Sequence, residues 1–180
     1  MTVSTGTSVV YFLVGQAGWF ACVLSAAHGS SAIGVAMVAV LLAAHLFRVP
    51  RPWEECRFLA VVVMIGAIWE SVLVRLDLLG YSSEIVIDGF APPWIVALWA
   101  LFGGQFNTTY TWLKQRFALA ALLGAIAGPL SFRAGASLGA VHFNRPPATT
   151  LALAIGWALI LPLLTIVSRR WDGVSSAAQR

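Results

Sequence analysis

A polytopic membrane bundle of six helices is the fold class this sequence predicts, on three observations. Of 180 residues 59% are hydrophobic and only 10% charged, and the mean hydropathy of +0.86 is more than a water-soluble core can absorb. Apolar runs recur six times, most of them near the roughly 20 residues that a helical bilayer crossing needs. Charge, proline or a polar turn closes each run. Hydrocarbon offers backbone N–H and C=O groups no partner, so each run must satisfy its own as a helix.

The first span covers residues 8–27 and ends at His28-Gly29-Ser30. Ser25-Ala26-Ala27 resembles a signal-peptidase site, but Met1 to Thr7 holds no Lys or Arg, so the span is read as retained. The second, 31–47, ends before Arg48 and Pro50, and the third, 57–78, starts at Arg57. Leu79 to Pro92 is the longest connection; its Ile85-Val86-Ile87 run between Glu84 and Asp88 suits either a surface lid or a plain loop. The fourth, fifth and sixth spans are 93–112, 117–138 and 149–168. No Pro-, Gly- or Ser-rich linker and no sequence repeat divides the chain, so residues 1–180 are read as one domain.

Basic residues set the orientation, because Lys and Arg are held on the cytoplasmic side during insertion. Arg48, Arg51 and Arg57, then Lys114 and Arg116, then Arg169, Arg170 and Arg180 fall on one side only if the crossing number is even. The opposite side receives His28, Glu84, Asp88 and Arg145. Both termini are therefore expected in the cytoplasm, in an inner (plasma) membrane. The net charge of +4 follows from this loop bias and calls for no nucleic-acid partner. Tyr11, Trp53, Trp112 and Trp171 suit one interface, Tyr81 and Trp94 the other, while Trp19, Trp69, Trp99 and Trp157 fall nearer mid-membrane, as packing or as the wall of an apolar pocket. Cys22 and Cys56 lie at opposite depths, which disfavours a disulfide. The three histidines share no helical spacing, so no metal and no cofactor is expected.

Ionisable residues within spans point to function, since each costs about 2.5 to 3.5 kcal/mol at the bilayer centre on insertion scales. Glu70 stands 13 residues beyond Arg57, roughly 20 Å along the helix. Asp77 falls on the same face and Arg75 away from it. Arg133, 16 residues into the fifth span, reaches a comparable depth of roughly 24 Å and is the candidate partner. Either the pair locks two helices together, or Glu70 and Arg133 line an outward-facing chamber for protons or a charged headgroup.

In the fifth span Gly124, Gly128, Gly135 and Gly139 fall within about 60° of one another, a face suited to close helix packing. Pro129 is expected to kink or break that helix near Ser131. A second polar layer comprises Gln16, His45, Gln105 and Asn107, with His45 as a proton relay or a hydrogen-bonded core residue. No nucleophile elbow, phosphate loop or thiolate pair marks an enzyme.

Glu70-Ser71, the run from Pro93-Trp94 through Leu98-Trp99 to Phe102, and Gly128-Pro129-Leu130-Ser131 with Gly139-Ala140 resemble a bacterial family of small multi-pass membrane proteins known as domain of unknown function 2878. The family pattern has Asp where this chain has Glu70 and Tyr where it has Phe132. The resemblance implies an inner-membrane location and a gene context of lipid-modifying enzymes. The function expected is handling of a lipid or other amphipathic molecule, with Glu70, Arg133, Ser131 and Asn107 on its polar part and Trp69 and Trp99 on its apolar part. The rivals are a proton-coupled small-solute transporter using Glu70 and His45, and a scaffold subunit whose glycine face binds a membrane-protein partner or a second copy. Membrane lipids are the expected partners of the first reading.

Overall fold

The structure, a computed structural model, describes residues 5–83 and 87–175; Met1, Glu84, Ile85, Val86 and Arg180, named above, lie outside them. Six α-helices dominate: α1 Thr5–Ala27, α2 Ser31–Leu46, α3 Pro52–Arg75, α4 Pro93–Phe106, α5 Phe117–Ser137 and α6 Pro146–Arg170. By length and composition α1, α3, α5 and α6 can each cross a membrane. With 16 and 14 residues, α2 and α4 rise only about 24 and 21 Å, short of the roughly 30 Å of hydrocarbon. Outward-facing Leu13, Ile68, Ile126 and Leu159 are all more than half exposed, where a water-facing bundle would carry polar side chains.

Helix ends depart from the sequence expectation for local reasons. Pro52 and the paired Pro146-Pro147 open α3 and α6 early, because proline fits the first helical turn, whose N–H groups need no intrahelical acceptor. The fourth span stops at Phe106 rather than 112, since the Gln105 carbonyl draws in the N–H groups of Thr108 and Thr109 and the Thr108 hydroxyl. The third helix ends at Arg75, not Leu78, and Asp77 sits beyond it with a left-handed φ of 52°. Asn144 donates to its carboxylate at 2.7 Å, and Arg145 donates to the carbonyls of Leu76 and Asp77. Of the kink or break expected at Gly128-Pro129, a break does not occur: α5 runs continuously from Phe117 to Ser137 with Pro129 inside it.

Two three-residue strands, β1 Leu79–Tyr81 and β2 Val141–Phe143, pair antiparallel with Leu79 opposite Phe143 and Tyr81 opposite Val141. They join the connection after α3 to the connection after α5 and define one end of the bundle, the ladder end. Thr149 on α6 adds a bond to the Leu78 carbonyl at 2.8 Å.

Tryptophan rings seated on glycines interlock four helices. A Cβ at Gly66 of α3 would lie 2.1 Å from the Trp99 ring of α4, one at Gly156 of α6 the same distance from the Trp69 ring of α3, and one at Gly128 of α5 2.4 Å from the Trp157 ring of α6. Trp99 and Trp157 then stack on each other, centroids 4.8 Å apart and planes within 15°. Helices α1 and α2 pack together and both lean on α4, while α5 packs most closely on α6.

Candidate functional site

Glu70 is completely buried on the inner face of α3. Its carboxylate accepts a hydrogen bond from the Tyr81 hydroxyl of β1 at 2.5 Å and another from Trp99 Nε1 of α4 at 2.9 Å. The expected partner Arg133 is not among its contacts and is exposed. Depth alone suggested that pair, whereas Arg133 is five residues from the buried Gly128 and so points about 140° away from it around α5. Burial first, then the nearby Glu70 charge and the bond to it, hold the Tyr81 phenol well above its ordinary value. Tyr81 is thus a committed donor, and its ring meets Trp94 edge-on at 5.7 Å.

Between α1 and α5 lies a cleft of about 680 Å³, walled by Trp19, Leu123 and Ala127 and floored by Gln105, Trp157 and Leu161. Toward the ladder end it continues into a pocket of about 120 Å³ bounded by Trp94, Trp99, Phe132 and Val141. Trp19, Leu98, Phe102, Ser131 and Trp157 border both compartments. Glu70 does not line either space; it holds the edge of Trp99, whose ring does. Trp69 lines neither, and its Nε1 has no hydrogen-bond partner among the described residues.

The end of the bundle opposite the ladder holds a second buried acid that the sequence reading passed over. Glu55, fully buried, meets His45 Nε2 at 3.0 Å and accepts from Asn107 Nδ2 at 2.9 Å and the Gly173 amide at 3.0 Å. His45 Nδ1 faces the Tyr11 hydroxyl at 3.2 Å. Two candidates, His45 of α2 and Asn107 in the turn after α4, therefore converge on an acid in a stretch of sequence where only the basic Arg51 and Arg57 had drawn notice. The available signal was spacing: Glu55, Phe58, Leu59, Val62, Gly66, Glu70 and Leu73 form one buried stripe along α3.

Segment 171–175 closes this end. Lys114 donates to the Asp172 carboxylate at 2.8 Å, and Arg51 donates to the carbonyls of Asp172 and Ser175. Burial by itself would raise the Asp172 carboxyl, but Lys114 and the N–H and hydroxyl of Ser175 outweigh it and hold it below its ordinary value. On α5, Gly124 and Gly128 lie under Trp157, Gly135 faces Val141, and Gly139 turns the chain with φ 86°. Among the described residues no three His, Cys, Asp or Glu side chains gather where a metal ion could sit.

Over residues 8–163 the sequence matches the family model described as a protein of unknown function (DUF2878). The chain belongs to that family. No curated protein and no solved structure matches it. The matched residues of the DUF2878 family thus include Glu70, Trp99, Glu55, His45 and the whole lining of the cleft, but not the 171–175 segment.

Proposed function

We propose that this DUF2878 protein is a multi-pass membrane protein that draws an amphipathic ligand from the lipid phase into the cleft between α1 and α5. One observation carries the reading: the cleft's volume falls within the roughly 300 to 1,000 Å³ typical of small-molecule sites, and its wall is aromatic and aliphatic with a few placed polar groups. In this reading Trp99 and Ser131 contact the ligand, and Glu70 acts by positioning Trp99. All six helices cross, α2 and α4 with help from their flanking turns, and the Arg48, Arg51 and Lys114 side faces the cytoplasm of a cell whose inner membrane holds the chain. The packing of Trp157 over Gly124 and Gly128, with Val141 beside Gly135, favours this reading over the scaffold one.

The test is lipid retention. Protein extracted in mild detergent is analysed by native mass spectrometry beside Ala127→Trp, whose indole would fill the cleft at an exposed lining position. The wild type should carry bound amphiphile that the variant lacks. Equal retention by both would remove the cleft as the site.

A further inference from the structure

Among the described residues the lining of the α1/α5 cleft contains no Asp, Glu, Lys, Arg or His; its four amide and hydroxyl side chains are Gln16, Gln105, Tyr110 and Ser131, beside the indole N–H groups of Trp19, Trp112 and Trp157. A phosphate or ammonium headgroup placed against that wall would give up its hydration without gaining an ion partner, which apolar surroundings penalise heavily. A neutral head escapes that penalty. Three of those four side chains cluster at the end away from the β ladder. The Gln105 amide lies directly over Gly15, where a Cβ would stand 2.1 Å from its Nε2, so Gln16 is its sequence neighbour across the gap and Tyr110 follows on the next turn of chain.

Gln105 is 8% exposed, and its Oε1 has no hydrogen-bond partner among the described residues. A buried carbonyl oxygen without a donor is a standing cost that native interiors rarely carry, and here it belongs to a side chain that lines the α1/α5 cleft. The group that would relieve it is a donor; Trp157 Nε1, in the same lining and likewise without a partner among the described residues, calls for an acceptor, and a hydroxyl is both. Beyond Gln105 the wall turns aromatic, with Trp19, Phe102 and Trp157 leading into the smaller pocket, and that stretch suits an extended apolar tail.

Resting on the cleft reading above, we propose that the ligand is an uncharged amphiphile with a hydroxyl head, the hydroxyl donating to Gln105 Oε1 and the tail running along Trp19 and Trp157 toward the ladder end. Long-chain alcohols, prenols and diacylglycerols share this chemistry. The probe that tests it is a dibrominated octadecanol, whose bromines quench tryptophan fluorescence on contact, added to the full chain in phosphatidylcholine nanodiscs. Unbrominated octadecanol, its methyl ether and octadecyl phosphate then compete for the site.

The alcohol should compete at least tenfold better than the ether or the phosphate. Gln105→Leu should bring the alcohol down to the ether's level while leaving the ether unchanged, so that ether binding reports an intact fold. Equal competition by alcohol and ether in the wild type overturns the hydroxyl assignment, as does stronger competition by the phosphate. In either of those cases loss of quenching in Ala127→Trp leaves the cleft reading standing. Quenching that survives Ala127→Trp overturns the cleft and the head assignment together.

Discussion

Gly66→Ala places one methyl where the structure has none to spare. The added Cβ would lie 2.1 to 2.6 Å from three atoms of the Trp99 ring, well inside van der Waals contact, and the ring cannot retreat freely because Trp157 is stacked behind it. If Trp99 slides within its slot, the strain of overpacking costs about 1 to 3 kcal/mol. If the ring leaves, the bond from Nε1 to the Glu70 carboxylate goes with it, about 1.5 to 3 kcal/mol, and so does the indole pair, about 0.5 to 1.5 kcal/mol. The protein takes the cheaper course, so a loss of about 1 to 3 kcal/mol is expected. Reversible unfolding in mixed micelles with increasing SDS, followed by near-ultraviolet circular dichroism, measures it. The decisive control is the same substitution in a Trp99→Ala background, where the methyl meets open space and should cost under about 0.5 kcal/mol. An equal cost in both backgrounds would refute the seating of Trp99 on Gly66.

Three further outcomes follow from the buried acids and the closing segment. Tyr81→Phe removes one of the two donors to Glu70 and should cost about 1.5 to 3 kcal/mol by the same SDS titration, with a much smaller effect in a Glu70→Gln background, where no carboxylate needs the phenol. Glu55→Ala leaves His45, Asn107 and the Gly173 amide without their common acceptor; a loss of about 3 to 5 kcal/mol and faster trypsin cleavage at Arg169 or Arg170 are expected. Because the Asp172 carboxyl is held below its ordinary value of about 3.9, the stability it contributes is complete above that pH and declines as pH falls through the lower folded value. Acid melts should therefore show a loss below about pH 4 in the wild type that is absent from Asp172→Asn, already weaker at neutral pH.

The helices were legible because each is an apolar run, and α1, α3, α5 and α6 are long enough to be their own signal. What the sequence hid was azimuth and tertiary pairing. Arg133 and Glu70 share a depth, yet depth along a helix says nothing about which way a side chain points, and Tyr81 came to Glu70 from a strand that exists only by pairing with Val141–Phe143 some sixty residues away. Three-residue strands carry no readable period of their own. Glu55 was hidden for the opposite reason. It lies among charges that mark a helix boundary, and only its place in the stripe ending at Leu73 separates it from Glu54, which pairs with Arg57 on the exposed side.

Glu55 and Glu70 lie 15 residues apart on α3, about 22 Å along the axis and about 60° apart around it. Each is gripped by different neighbours, one by α2, the turn after α4 and the tail, the other by α4 and β1. A screw motion or axial slip of α3 would unseat both acids at once, so this helix acts as a fixed spindle. Any widening of the α1/α5 gap has to come from the other helices swinging about it.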